Sequence, residues 1–130
     1  MSQGKVLVVD DQPHIVRLIE INLVNAGYEV ITAGDGVTGF ELARTEKPDL
    51  IILDVIMPRR DGFAVLRDLR ADPELAQIPV IMFTVKAQNH DIAEGLREGA
   101  DLYLPKPFHP HELVSCVSAL LRSKSSPPEA

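Results

Sequence analysis

The sequence predicts an α/β protein, an open sheet of five parallel strands wound with helices on both faces. Three observations carry that prediction. Five short apolar runs recur along the 130 residues. Segments of helical periodicity lie between them. The runs also lack the strict apolar–polar alternation of a strand with one wet face, and a near-continuous apolar run is the mark of a strand covered on both sides. Strand followed by helix, repeated five times, requires right-handed crossovers in one parallel sheet.

The first run is KVLVV (5–9). In the segment after it, Ile15, Leu18, Ile19 and Leu23 follow 3.6-residue spacing, with Asp11 or Gln12 as cap, Pro13 in the first turn and Gly27 at the far end. The second run, YEVITA (28–33), leads to a helix marked by Phe40 and Ala43 and capped by Asp35. The third, DLIILD (49–54), precedes a helix with Phe63, Leu66 and Leu69, set between Asp61 and Pro73. The fourth, PVIMFT (79–84), precedes a helix with Ile92, Ala93 and Leu96, closed by Gly99. The fifth, DLYLP (101–105), precedes a fifth helix with Leu113, Cys116, Val117 and Leu120. Gly39 and Gly95 oppose their helices by about 1 kcal/mol each relative to alanine. Residues 1–122 are expected to form one domain. SKSSPPEA (123–130) has no apolar periodicity and is read as a disordered tail or a truncated linker.

Composition narrows the function. Apolar content of 45% and charged content of 25% are those of a soluble globular domain. The net charge of −6 argues against nucleic acid as a direct ligand of this chain, since duplex affinity rests on neutralising phosphates. Cys116 is the only cysteine, so no internal disulfide forms and a reducing, cytoplasmic location is expected. The apolar run before Asp10 is too short for a signal-peptide core or a membrane span, and no membrane association is expected.

The chemistry lies just past the strands. Asp10 and Asp11 follow the first, Asp54 ends the third, Thr84 ends the fourth, and Lys106 and Pro107 follow the fifth. In open α/β sheets, sites form outside the carboxyl ends of the strands. In a flavodoxin-like, doubly wound sheet of order 2-1-3-4-5, these strands are neighbours. Taken singly, each residue has a plainer role: Asp10 and Asp11 as helix starts, Asp54 as a turn residue before Pro58, Thr84 as a strand former, Lys106 as a solvated cation. Together they place three carboxylates, a hydroxyl and an ammonium in one crevice. Close carboxylates repel, and a proton or a cation relieves them. Few, hard oxygen ligands suit Mg²⁺. Asp54 beside such an ion is a nucleophile for phosphoryl transfer, with the metal and Lys106 screening phosphoryl oxygens.

The same residues resemble, in order, the receiver domains of two-component response regulators, specifically the single-domain, chemotaxis-regulator-like kind. The motifs that carry the resemblance are VLVVDDQP, DLIILDVIMPRRDG, PVIMFT and GADLYLPKPF, and it spans roughly residues 4–122. It implies that Asp54 accepts a phosphoryl group from a histidine kinase or phosphotransfer protein. It also implies that Asp11 binds Mg²⁺ directly, that Asp10 does so mainly through water, and that the backbone carbonyl of Ile56 completes the metal's protein ligands. Lys106 would pair with the phosphoryl group, its bond to Pro107 being cis. Thr84 would move to bond a phosphoryl oxygen, and Tyr103 would swing into the space vacated. The readout face implied for an output protein is the fourth helix, fifth strand and fifth helix. Shifting such a two-state switch from 1:99 to 99:1 takes about 5.5 kcal/mol of differential binding. Two charge-assisted hydrogen bonds at ~1.5–3 kcal/mol each supply much of it.

Two positions depart from the family's habit. Val85 stands where Ala, Gly or Ser is usual, and its β-branch predicts slower phosphoryl transfer than a Val85→Ala variant. Ile56 offers no polar side chain to orient water, and Lys86 is either a partner for the phosphate or a solvated loop lysine; slow spontaneous loss is expected from the first reading. His14, His90, His109 and His111 form no metal set by spacing, and His109-Pro110-His111 reads as a helix entry. Arg59-Arg60 reads as an exposed turn, and Cys116 as a core residue.

The expected function is a phosphorylation-activated signalling switch. It is not a turnover enzyme, although as a phosphoacceptor it catalyses its own phosphorylation and dephosphorylation. The alternative is an unphosphorylated receiver-like protein-interaction module. An aspartyl phosphatase is disfavoured because DDQPH lacks an Asp-x-Asp-x-Thr pattern. A flavin site is disfavoured because no Ser/Thr/Gly-rich phosphate loop follows the first strand, and no G-x-x-x-x-G-K-[ST] loop for a nucleotide occurs.

Overall fold

The computed structural model describes residues 4–57, 61–84, 99–105 and 108–125. Its strands are β1 (Lys5–Val9), β2 (Glu29–Ala33), β3 (Leu50–Asp54), β4 (Val80–Thr84) and β5 (Leu102–Pro105). All pair in parallel, in the order β2-β1-β3-β4-β5. The expected sheet and strand order are therefore present, and each strand begins within a residue of the apolar run that predicts it.

Four helices lie among the described residues: α1 (Pro13–Asn25), α2 (Gly36–Glu46), α3 (Gly62–Ala71) and α4 (Pro110–Ser125). The helix expected around Ile92, Ala93 and Leu96 lies outside the described residues, so the helix counted fifth from the sequence is α4 here. It ends at Ser125, three residues beyond the boundary at 122. Residues 126–130 of the expected tail lie outside the described residues.

Strand residues point alternately to two cores. Leu7, Val9, Ile51, Leu53, Val80 and Met82 pack with Ala43 of α2 and with Val65, Leu66 and Leu69 of α3. Val6, Val8, Leu50, Ile52, Ile81 and Phe83 pack with Ile19 and Leu23 of α1 and with Leu113 and Val117 of α4. Because both faces of the central strands are covered, neighbours along β1, β3 and β4 are nearly all apolar, which is why alternation is missing there, whereas the edge strand β2 exposes Glu29 and Thr32.

Local chemistry sets the helix ends. Asp35 caps α2 by accepting from the Thr38 amide at 2.8 Å, and Asp61 caps α3 by accepting from the Ala64 amide at 2.9 Å. Gln12 is the N-cap of α1, with Pro13 at its first position but no side-chain cap bond. At the entry to α4, His109 Nδ1 accepts from the His111 amide at 3.1 Å, in line with a helix-entry role for this sequence.

Two helical positions behave differently from their sequence pattern. A Cβ on Gly39 would lie 2.8 Å from Val9 Cγ1, so the glycine lets α2 close onto β1. Leu18, one of the residues that mark the helical period, is 40% exposed, and with Ile21 and Val24 it forms a solvent-facing apolar row on α1. Ile19 and Leu23 supply the buried contacts instead. Among the described residues no helix is long and apolar enough to cross a membrane.

Candidate functional site

The carboxyl ends of β1 and β3 are adjacent because these strands pair centrally, Val9 opposite Leu53. Each strand delivers an acid there. Asp10 continues the β1–β2 ladder, its amide donating to Ala33 O at 3.0 Å. Its Oδ1 accepts from the Gln12 amide at 2.9 Å, a local turn that starts α1. Asp54 sits opposite Phe83 in the β3–β4 register. The ladder continues one residue further, the Val55 amide donating to Phe83 O at 3.1 Å. Asp10 and Asp54 are 1% and 4% exposed, while Asp11 faces solvent.

One carboxylate oxygen from each of Asp10, Asp11 and Asp54 lies within 4.8 Å of the others. At such spacing two unit charges repel by about 3–4 kcal/mol in an effective dielectric of ~20. A site so built favours a cation. The donor set fits Mg²⁺, with hard oxygens only, few protein ligands, and one exposed carboxylate leaving room for water and a phosphoryl oxygen. The side chain of Ile56, next along the β3–α3 loop, is 66% exposed and contributes no polar group.

The other predicted residues are placed as follows. Thr84 ends β4 with its backbone opposite Pro105. Phe108 packs edge-on to Phe83, with ring centroids 5.9 Å apart. The residues flanking Lys106-Pro107 are thus tied to β4. Lys106 and Pro107 themselves lie outside the described residues, as do Val85, Lys86, His90, Arg59 and Arg60. Tyr103 stands opposite Met82 and packs, half-buried, against the core shared with α2 and α3. Its hydroxyl oxygen is out of solvent.

One contributor to the site is not evident from sequence. Gly62 opens α3, and its amide donates to Val55 O at 2.8 Å. A Cβ there would lie 2.1 Å from Asp54 O and 2.9 Å from Val55 Cα. Read alone, Asp61-Gly62 is a turn. The close approach depends on where β3 lies in space, which no local pattern records.

Of two concavities, one adjoins the acids. A groove of about 390 Å³ opens beside them, lined by Asp10, Asp11, Pro13, Arg17, Glu20 and Thr32 among others. A larger cleft of about 630 Å³ lies between the far ends of α2 and α3, and the Lys47–Glu74 ion pair closes at 2.9 Å there. Its lining holds none of the three clustered acids.

Comparison with known proteins agrees with this fold. The family model described as the response regulator receiver domain matches residues 6–118. The chain is 48% identical over 118 residues to the alkaline phosphatase synthesis transcriptional regulatory protein PhoP of Bacillus subtilis, covering 91% of this chain and 48% of that protein. It is 46% identical over 126 residues to the DNA-binding dual master transcriptional regulator RpaA of Synechocystis, covering 97% and 52%. The chain thus spans about half the length of these curated relatives. Among solved structures, the Francisella response regulator 1452 receiver domain superposes with a TM-score of 0.89 at 33% identity, covering 95% of this chain and 100% of that one. The Vibrio cholerae chemotaxis protein CheY4 gives 0.86 at 35% identity, covering 91% and 98%.

Proposed function

The chain belongs to the response regulator receiver domain family, and from that premise we propose that it is a phosphorylation-activated switch with Asp54 as the acceptor. The observation that carries the proposal is the convergence of Asp10, Asp11 and Asp54 oxygens within 4.8 Å at the carboxyl edge of the sheet. A carboxylate oxygen of Asp54 attacks phosphorus. A P–O bond forms as the donor's P–N or P–O bond breaks, and the leaving group departs with a proton from solvent. The donor is a phosphohistidine on a histidine kinase or phosphotransfer protein.

Asp11 and Asp54, with the Ile56 carbonyl and with Asp10 mainly through water, would hold Mg²⁺. When bound, the ion supplies positive charge against which acid and phosphoryl group approach. Lys106 pairs with the phosphoryl oxygens from the opposite side. Thr84 turns to bond one of them, and Tyr103 follows inward. The surface of the expected fourth helix, β5 and α4 then docks an output partner. The domain is assigned to residues 1–122 and the action to the cytoplasm, where a lone cysteine stays reduced.

The test is intact-mass measurement after incubation with Mg²⁺ and a small acyl phosphate. The protein gains one phosphoryl mass, chelation of the metal prevents the gain, and Asp54→Asn shows none. No gain in the unaltered protein would favour the unphosphorylated interaction module, and an equal gain in the variant would remove Asp54 from its role.

A further inference from the structure

We infer that Gly62 is a positioning residue for the phosphoacceptor, setting the backbone from which Asp54 and Ile56 reach the metal. The inference rests on the reading of Asp54 and Mg²⁺ given above.

Three contacts fix the peptide that follows Asp54. On one side the Val55 amide donates to Phe83 O of β4 at 3.1 Å. On the other, Val55 O accepts from the Gly62 amide at 2.8 Å. Between them, α3 presses its first residue onto the peptide so closely that a Cβ would stand 2.1 Å from Asp54 O and 3.0 Å from Asp54 C. The neighbours a side chain would meet are backbone atoms at the end of a central, fully buried strand. They have no rotamer with which to give way. At Gly39 and Gly99 the atoms in the way belong to side chains, those of Val9 and Arg70, rather than to the backbone.

A methyl group at position 62 leaves two responses. The Asp54–Val55 peptide moves by roughly 1 Å, a displacement of the size that costs on the order of a hundredfold in positioned chemistry. Alternatively α3 retreats, and the Gly62–Val55 bond breaks while Asp54 stays in place. The second is disfavoured because α3 is anchored by Val65, Leu66 and Leu69, all 1% exposed or less. The Asp54 carboxylate and the Ile56 carbonyl therefore shift relative to Asp10 and Asp11, which follow β1 and are held separately from α3.

The experiment compares the unaltered protein, Gly62→Ala and Gly99→Ala. Gly99 lies at the opposite edge of the sheet with φ +106°, so its variant is strained yet remote from the acids. Each is titrated with Mg²⁺ alone by calorimetry and then phosphorylated with a small acyl phosphate. Gly62→Ala should weaken Mg²⁺ binding about tenfold or more, the range seen when groups that orient metal ligands are lost. It should slow phosphorylation as well. Gly99→Ala should melt earlier yet bind Mg²⁺ within about twofold, as expected of distant sites.

Equal Mg²⁺ affinity in Gly62→Ala and the unaltered protein overturns this inference and leaves the reading of the site standing. Absence of Mg²⁺ binding in the unaltered protein overturns both. If Gly62→Ala is unfolded in buffer, the titration is repeated in sucrose, which favours the compact state. A variant that stays unfolded there, while Gly99→Ala folds, makes Gly62 a folding residue and contradicts the positioning role.

Discussion

Asp10 and Asp54 are nearly out of solvent, with Asp11 beside them in water. Their close approach sets like charges against one another, a contribution that opposes folding and that a bound cation would relieve. Replacing Asp11 with Asn should therefore raise the melting midpoint of the metal-free protein. It should also reduce the further stabilisation that Mg²⁺ provides, because a ligand stabilises only as far as it binds the native state. Thermal melts with and without Mg²⁺ check both signs, and a metal-free midpoint lower in Asp11→Asn would contradict the repulsion argument. Cys116 gives a second prediction at this scale. Burial, and after it the carboxylate of Glu112, push its thiol above the ordinary range. The thiolate is the reactive form, so alkylation at neutral pH should be slow and should accelerate as pH rises above that of a free thiol. Alkylation as fast as that of a small thiol at pH 7 would count against the burial. The acids were legible in the sequence because each follows an apolar run directly. Gly62 was not, since its role depends on an approach to Asp54 that only the assembled fold creates.

The helices owe their starts to short side chains and their positions to the sheet. Asp35 accepts from the Thr38 amide at 2.8 Å and from the Thr38 hydroxyl at 3.1 Å. Asp35→Ala should cost about 1 kcal/mol, the usual value of an N-cap, read as a lower urea midpoint at unchanged slope. A midpoint unchanged within error would mean that α2 is held by its packing on Val9 alone. Asp35 and Pro13 were readable because caps are local. Leu18 marks the helical period yet faces solvent, because a 3.6-residue period gives an apolar stripe but not which side of it meets the sheet. Lys47, which ends α2 in the left-handed region at φ 46°, carried no signal because neither Gly nor Asn occupies the position.

At the scale of the whole molecule, the edge of the sheet opposite the acids is tied by one side chain. Arg70, in the last turn of α3, donates to Gly99 O through Nε at 2.9 Å and Nη2 at 2.7 Å. It also donates to Ala76 O at 3.1 Å and to Ile78 O at 2.6 Å. Nη2 meets Asp101 Oδ2 at 3.0 Å, and the same oxygen accepts from the Val80 amide at 2.9 Å. One guanidinium thus joins α3 to the entries of β4 and β5. Arg70→Met keeps the aliphatic stem and orphans three carbonyls, so a loss of about 2–4 kcal/mol in denaturant unfolding is expected. A loss below about 1 kcal/mol would show that water replaces the bonds. The strand count and parallel order were readable from apolar runs because burial on both faces leaves its mark on every residue. This clamp was not, because two of its partners, Gly99 and Asp101, lie 29 and 31 residues from Arg70 in sequence.

The central claim is that the three acids, gathered at one edge of the sheet, ready Asp54 to receive a phosphoryl group. Reductive trapping with borohydride after reaction with an acyl phosphate and Mg²⁺, followed by peptide mapping, tests it most directly. Conversion of Asp54 alone to homoserine is the predicted result. Conversion at another carboxylate, or none while Mg²⁺ is bound, would contradict it.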